Sequence, residues 1–307
     1  MFLVILVYAL FASVFTTAKT ALSYSSPFFL VGSRMAAAGL ILLGYQYLFH
    51  RKEFRLAKAD FKIILMMALF TIYLTNVFEF WGLKYLTSFK TCLIYSLSPF
   101  LSALISYFSL NERLTPKKWL GLGIGFLGVM PILLNQTSSE EQAGQLFLFS
   151  WAELAVVMAA VCSVYGWILL KKTVGERGYS PVMANGLSML IGGAFALIHS
   201  AAVETWNPVP VTEFKPFLIC TAVLILVSNL ICYNLYGYLL RRFSATFMSF
   251  AGLTTPLFTA LFGWFFLGEV ASSAFYLSFS ILSVGLLLFY QEELKVALQA
   301  NAPVELQ

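Results

Sequence analysis

Five ionisable side chains lie inside apolar stretches of this chain: Lys19, Arg34, Glu79, Lys90 and Glu153. A charge in hydrocarbon costs about 2.5–3.5 kcal/mol on insertion scales, so such groups mark binding, relay or pairing sites. Arg34 follows Pro27 by seven residues, about 10 Å along a helix, which makes it the deepest of the basic ones. Long basic side chains also snorkel to an interface, the plain alternative for Lys19, Lys90 and Arg34. Glu79 is too short to snorkel far. It reads as a pocket carboxylate that holds a substrate amine, pairs with Arg34 or carries a proton. It reads equally as one partner of a fixed ion pair with Arg34, Lys84 or Lys90. Glu153 sits one turn into its stretch, where a helix N-terminus favours an anion.

Neutral polar and aromatic groups recur at helical spacing beside these charges. Tyr73, Asn76 and Phe80 form one such face; Asn229, Tyr233 and Tyr236 form another. Tyr95 and Tyr165 add aromatic surface that suits a cationic or flat ligand. Hydrogen bonding between helices is the competing reading for the amides. The candidate substrate-binding set is therefore Arg34, Asn76, Glu79, Tyr95, Asn229, Tyr233, Lys19, Lys90 and Tyr165.

The elements that carry these residues follow from composition. Of 307 residues, 60% are apolar and only 11% are Asp, Glu, Lys or Arg, against about 25% charged in soluble domains. A soluble enzyme and a disordered chain are both excluded, and the net charge of +5 is too dispersed for a nucleic-acid face. Long continuous apolar runs predict an all-α polytopic membrane protein with ten transmembrane helices, and not a barrel. The spans are expected near 2–22, 28–49, 62–82, 87–109, 118–135, 150–170, 181–202, 216–238, 244–267 and 273–291. The first run starts at Met1 without a charged leader and reads as a span, not a signal peptide. Ser26-Pro27, Thr115-Pro116, Ser180-Pro181 and Lys215-Pro216 put proline at helix starts.

Alternate loops differ in basic residues. Arg51, Lys52, Arg55, Lys58, Lys62, Arg113, Lys117, Lys118, Lys171, Lys172, Arg177, Arg241, Arg242 and Lys295 fall on one side. Only Lys84, Lys90 and Lys215 fall on the other. The positive-inside rule then places both termini in the cytoplasm. Trp81, Trp119, Trp151, Trp167, Trp206 and Trp264 lie near span ends or in loops, so an interfacial belt is their expected role. Cys92, Cys162, Cys220 and Cys232 read as buried free thiols.

The two halves of the chain echo each other. Ser98-Pro99-Phe100-Leu101-Ser102-Ala103-Leu104 corresponds to Thr255-Pro256-Leu257-Phe258-Thr259-Ala260-Leu261 at an offset of 157. That offset also relates Glu112 to Glu269, Gly128 to Gly285 and Asn76 to Tyr233. Ser26-Pro27 and Gly39 recur as Ser180-Pro181 and Gly193 at an offset of 154. Five spans per half make the repeats inverted, which places a substrate site near the midplane between them. The division is residues 1–135, an extracytoplasmic linker 136–149, a second repeat 150–291 and a cytoplasmic tail 292–307. Pro99 and Pro256 each remove a backbone hydrogen bond near mid-membrane and are the candidate gating positions. Glu112 and Glu269 end their spans and are assigned a structural role beside the N-terminus of the next helix.

Two five-span halves, an intramembrane proline, a glutamate closing the fourth span and a glycine-containing last span resemble the drug/metabolite transporter superfamily, in its EamA branch. The resemblance covers nearly the whole chain. Arg34 also resembles that family's early arginine, whereas Ser188 stands at the matching place in the second half. The resemblance implies transport of a small metabolite, a class that spans amino acids, nucleotide-sugars, choline-like cations and S-adenosylmethionine. It implies a multi-pass protein of a bacterial inner membrane.

Arg34 together with Glu79 and several aromatics suits a zwitterion with an organic body. The expected function is a secondary-active transporter or exchanger of an amino-acid-like metabolite, with S-adenosylmethionine exchanged for its demethylated product as the further specification. A scaffold or assembly factor and a lipid flippase are the alternatives. No enzyme constellation, cofactor or metal site is expected. Gly123-Ile124-Gly125-Phe126-Leu127-Gly128 lacks a preceding strand, and His50 and His199 stand in no cluster. The expected partners are a small molecule and the lipid bilayer, with no nucleic acid. A monomer and a homodimer are both compatible with the sequence.

Overall fold

The computed structural model describes residues 2–54, 56–110, 114–239, 248 and 251–300. The architecture is all-α. Nine helices among the described residues are long and apolar enough to cross a membrane. They are α1 (Phe2–Leu22), α2 (Pro27–Phe49), α3 (Lys58–Tyr85), α4 (Ser88–Ile105), α5 (Pro116–Leu134), α6 (Trp151–Gly175), α7 (Pro181–Val203), α8 (Phe214–Leu239) and, last in the chain, α10 (Ser273–Gln291). A shorter apolar helix, α9 (Thr254–Leu267), precedes α10, and most of the segment expected to lead into it lies outside the described residues. Between α5 and α6 runs a linker with one turn of helix, Ser138–Glu141, and a two-residue hairpin pairing Gln145 with Ser150 and Leu146 with Phe149.

Helix starts follow the local chemistry of the sequence. Thr115 accepts the Lys118 N–H and Ser180 accepts the Met183 N–H, each with proline next in the chain. Ser150 and Glu153 form a reciprocal capping box at the head of α6. Leu40, Leu48, Leu127, Ile198, Phe265 and Phe266 are among the large apolar side chains left exposed on the outer surface, where lipid is their solvent.

Packing pairs the helices in a pattern that survives exchange of the halves. Helix α2 packs along α7, and α5 along α10. Helix α3 lies against α6 as α1 lies against α8, and α1 lies against α9 as α6 lies against α4. The α2/α7 contact is antiparallel, because Gly32 meets Leu197 and Gly39 meets Leu190. A Cβ at Gly39 would sit 2.6 Å from the Leu190 nitrogen, so only glycine permits this approach. The α5/α10 contact has the same character: Gly121 meets Phe289 and Gly128 meets Leu282.

Regular helix gives way at matched places. Residues Ala68–Leu74 of α3 and Ile225–Cys232 of α8 are π-helical, and their first residues differ by the repeat offset of 157. A further π stretch, Gly263–Leu267, ends α9 at Gly268 in the left-handed conformation. Helix α4 breaks between Tyr95 and Ser98, and α9 begins at Thr254 after a turn at Gly252–Leu253. The breaks lie just before Pro99 and Pro256, not on them. Each is closed by a hydroxyl reaching back three residues: Ser98 donates to the Tyr95 carbonyl (2.6 Å) and Thr254 to the Ala251 carbonyl (2.8 Å). Pro99 has no N–H to offer the Tyr95 carbonyl, and Ser98 supplies the missing donor.

Candidate functional site

The breaks in α4 and before α9 and the π stretch of α8 border a cavity of about 200 Å³. Irregular backbone at membrane depth is tolerated where it lines a cavity, and here the breaks in α4 and before α9 both do so. Helix α1 contributes Tyr8, Phe11 and Phe15; α2 contributes Arg34; α3 contributes Thr75, Asn76 and Glu79. Helix α4 adds Tyr95, Ser96 and Pro99, α6 adds Ser163 and Trp167, and α8 adds Ser228, Tyr233 and Tyr236.

Arg34 is 1% exposed. Its Nη2 donates to Asn76 Oδ1 at 2.5 Å, and its Cζ lies 4.3 Å from the centroid of the Phe80 ring. Its Nε and Nη1 have no hydrogen-bond partner. Asn76 is itself fixed by the π stretch before it. Its Nδ2 donates to the Ile72 carbonyl (2.8 Å) and the Thr71 carbonyl (3.3 Å), which leaves Oδ1 facing Arg34. Glu79 accepts the Tyr95 hydroxyl at 2.8 Å and forms no ion pair with Arg34. The cavity thus holds a basic and an acidic side chain that form no direct ion pair.

Aromatic rings close one side. Trp167 lies 4.6 Å from Tyr236 and 5.3 Å from Tyr233, centroid to centroid, and Phe11 packs edge-on to both tyrosines. Phe15 meets Tyr95 edge-on at 5.9 Å, and the Tyr8 hydroxyl donates to the Met248 carbonyl. Such a group of faces attracts a cation or stacks on a flat ring.

Among the sequence-derived candidates, the structure brings Arg34, Asn76, Glu79, Tyr95, Tyr233 and Pro99 to one cavity. It places others elsewhere. Lys19 donates to the carbonyls of Leu83 (2.7 Å), Lys84 (3.1 Å) and Leu86 (2.6 Å), closing the end of α3. Lys90 is 2% exposed and lies 2.6 Å from Glu140 and 2.7 Å from Glu153. It neither snorkels nor faces the cavity, because two carboxylates and the Asn135 carbonyl surround it. Tyr165 packs on Phe70, and Asn229 donates to Met35 Sδ at 2.9 Å. Pro256 is buried in the first turns of α9.

Glu269 is a helix cap, but of a different helix from the one expected. Its carboxylate accepts the Ser88 N–H (3.0 Å) and the Ser88 hydroxyl (2.5 Å), capping α4 from the other half of the chain. Glu112 lies outside the described residues. Glu204, which the sequence did not single out, caps α2 in the same cross-half manner through the Phe28 and Phe29 N–H groups. Trp167 departs from the interfacial role expected of it and lines the cavity. Tyr8, Phe11, Phe15, Ser163 and Ser228 were also missed; only their helical spacing in α1, α6 and α8 could have suggested them.

The family model described as "EamA-like transporter family" matches residues 1–134 and 150–291. The chain belongs to the EamA-like transporter family. It is similar along its length to a protein named S-adenosylmethionine/S-adenosylhomocysteine transporter in Chlamydia muridarum, with 40% identity covering 96% of this chain and 92% of the relative. The protein of the same name from Chlamydia trachomatis serovar L2 is 40% identical over 96% of this chain and 90% of its own. A more distant relative, a WAT1-related chloroplastic protein of Arabidopsis thaliana, is 25% identical over 83% of this chain and 60% of its own. A crystal structure that is 16% identical superposes with a TM-score of 0.66, covering 96% of both chains, and shares the fold. The chain is therefore a multi-pass integral membrane transporter of the EamA type.

Proposed function

We propose that this protein exchanges S-adenosylmethionine for S-adenosylhomocysteine across a bacterial cytoplasmic membrane by alternating access. The observation that carries the reading is 40% identity over 96% of the chain to chlamydial proteins named for that pair of molecules. The cavity adds chemical support. S-adenosylmethionine bears a carboxylate, an ammonium, a sulfonium and an adenine ring. Arg34, Glu79 and the Trp167–Tyr233–Tyr236 cluster offer a partner for each type of group.

The ten helices act in this reading as two inverted five-helix repeats, with both termini in the cytoplasm. Matched breaks in α4 and before α9, beside Pro99 and Pro256, serve as gates. At the linker end of the bundle, Glu269 at the end of α9 caps Ser88 at the head of α4, and in this reading that tie keeps the bundle closed at this end. The orientation makes this the extracytoplasmic gate. The two substrates drive each other, since exchange needs no other energy source.

Reconstituted vesicles test the reading. Vesicles preloaded with S-adenosylhomocysteine should take up labelled S-adenosylmethionine several-fold faster than empty ones. Uptake indifferent to either molecule inside would end the exchange proposal. Reporter fusions at each terminus test the orientation, and a terminus active only outside the cytoplasm would reverse it.

A further inference from the structure

Among the described residues, Lys19, Lys90 and Arg34 are cations held within the helical bundle, and the two lysines are saturated. Lys90 has two carboxylates and a carbonyl within 3.3 Å. Lys19 has three carbonyls within 3.1 Å. These show how the fold treats a cation whose task is to hold helices together. Arg34 is treated differently. A guanidinium carries five N–H donors, and the structure supplies one acceptor, Asn76 Oδ1. Nε and Nη1 are buried and unpartnered. The nearby acid, Glu79, spends its Oε2 on the Tyr95 hydroxyl and makes no ion pair with Arg34. Burying a charged donor unpaired is costly, so a fold that keeps one reserves it for a partner from elsewhere.

The guanidinium is also held in place. Phe80 covers one face at 4.3 Å, and Asn76, pinned to the carbonyls of Thr71 and Ile72, fixes one nitrogen. What remains unpartnered is a planar set of donors on a residue that lines the cavity. A carboxylate, with two oxygens at matching spacing, is the ligand group that fits this fork.

We propose that Arg34 is the seat for a carboxylate of the transported molecule, with Asn76 as the positioning residue, so that the cavity selects α-amino acids over the matching decarboxylated amines. Its identification with the methionyl carboxylate of S-adenosylmethionine rests on the exchange reading above. The selectivity for a carboxylate does not.

Matched acid–amine pairs test this on the full-length purified protein. Thermal stabilisation is measured with S-adenosylmethionine and its decarboxylated form, S-adenosylhomocysteine and its decarboxylated form, and methionine and 3-(methylthio)propylamine. In the wild-type protein each amine should bind roughly 10- to 100-fold more weakly than its acid, the span set by hydrogen bonds to a charged group. Arg34→Lys should weaken the acids by a similar factor and leave the amines unchanged, because a lysine keeps the charge but not the fork. Equal binding of acid and amine by the wild-type protein would overturn the proposal, and so would a preference that survives in Arg34→Lys and Arg34→Ala alike. If methionine outbinds its amine in an Arg34-dependent way while neither adenosyl compound binds, the carboxylate seat stands and the exchange reading falls. A wild-type protein stabilised by none of the acids overturns both.

Discussion

Asn76 in α3 and Asn234 in α8 each donate the side-chain amide to the two carbonyls four and five residues earlier, at the downstream edge of a π stretch. The extra residue in each π stretch frees carbonyls that an α-helix would consume, and the asparagine returns a donor to them. The oxygens then diverge in use. Asn76 Oδ1 takes the Arg34 guanidinium, whereas Asn234 Oδ1 takes the Asn185 amide at 3.1 Å.

Asn234→Ala should therefore lower stability without altering ligand preference. The loss expected is about 1–3 kcal/mol, the cost of leaving buried acceptors unsatisfied. Asn76→Ala should lose a similar amount and, in addition, narrow the gap between acids and amines because Arg34 is no longer held. Thermal unfolding with the acid–amine panel separates the two effects; equal ligand preference in both variants would show that Asn76 positions nothing.

Lys90→Met should be among the most damaging single changes in the protein. It strands Glu140 and Glu153, and removing one partner of a buried pair costs about 3–5 kcal/mol. Glu140 lies in the linker, and burial pushes its carboxyl above the ordinary range while the Lys90 hydrogen bond pulls it down. Its folded form thus holds the proton to higher pH than the unfolded form. The Glu140 contribution to stability is full below the unfolded carboxyl range and falls as pH rises through the folded one. With Lys90 removed, the fall should steepen, so Lys90→Met regains stability as pH drops from 7 to 5. Melting curves across that interval check the sign; a variant that gains stability with rising pH would contradict it.

Glu269→Ala should loosen the linker end of the bundle. It removes the two bonds to Ser88 that join α9 to α4. Bonds to a charged group contribute about 1.5–3 kcal/mol, enough to shift a two-state gate on the order of tenfold. Cys92 lines the cavity, so its labelling by a membrane-impermeant thiol reagent reports the gate. An unchanged rate would show that this cap has no part in opening.

Gly39→Val should fail to assemble the α2/α7 pair, because its Cβ would meet the Leu190 backbone at 2.6 Å. Gly44→Ala on the same helix has open space at its Cβ and should be neutral or gain up to about 1 kcal/mol of helix propensity. Comparable melting temperatures for the two variants would mean that close approach does not hold this pair.

Nine of the expected spans were legible because each is a continuous apolar run, and the antiparallel glycine contacts fall at Gly39 and Gly193, which the sequence pairs at one offset. Arg34, Asn76, Glu79, Tyr95 and Tyr233 could be picked from the sequence because charge and amide are rare at membrane depth. What failed was helical phase. A π stretch turns everything beyond it, so Tyr73 leaves the Asn76 face and meets His199 at 3.2 Å. By the same turn Asn229 points to Met35 while Tyr233 reaches the cavity. The offset of 157 paired Asn76 with Tyr233, but the residue in its role is Asn234. Trp167 misled through its nearness to a span end, since position along a helix does not say which way the helix face turns. Lys90 was misread because one of its carboxylates, Glu140, comes from the linker, which leaves no periodic trace, and the other, Glu153, comes from the head of α6 in the other half of the chain.

Lys90 is synthesised before either of its carboxylates. The head of α2 likewise waits for Glu204, and the head of α4 for Glu269. Each of these debts in the first half is settled by a residue made later, up to the ninth helix. The growing chain therefore carries two uncapped helix ends through more than half of its length, and a cation without its carboxylates for a shorter stretch. A chain stopped before Glu204 would leave the heads of both α2 and α4 without these caps.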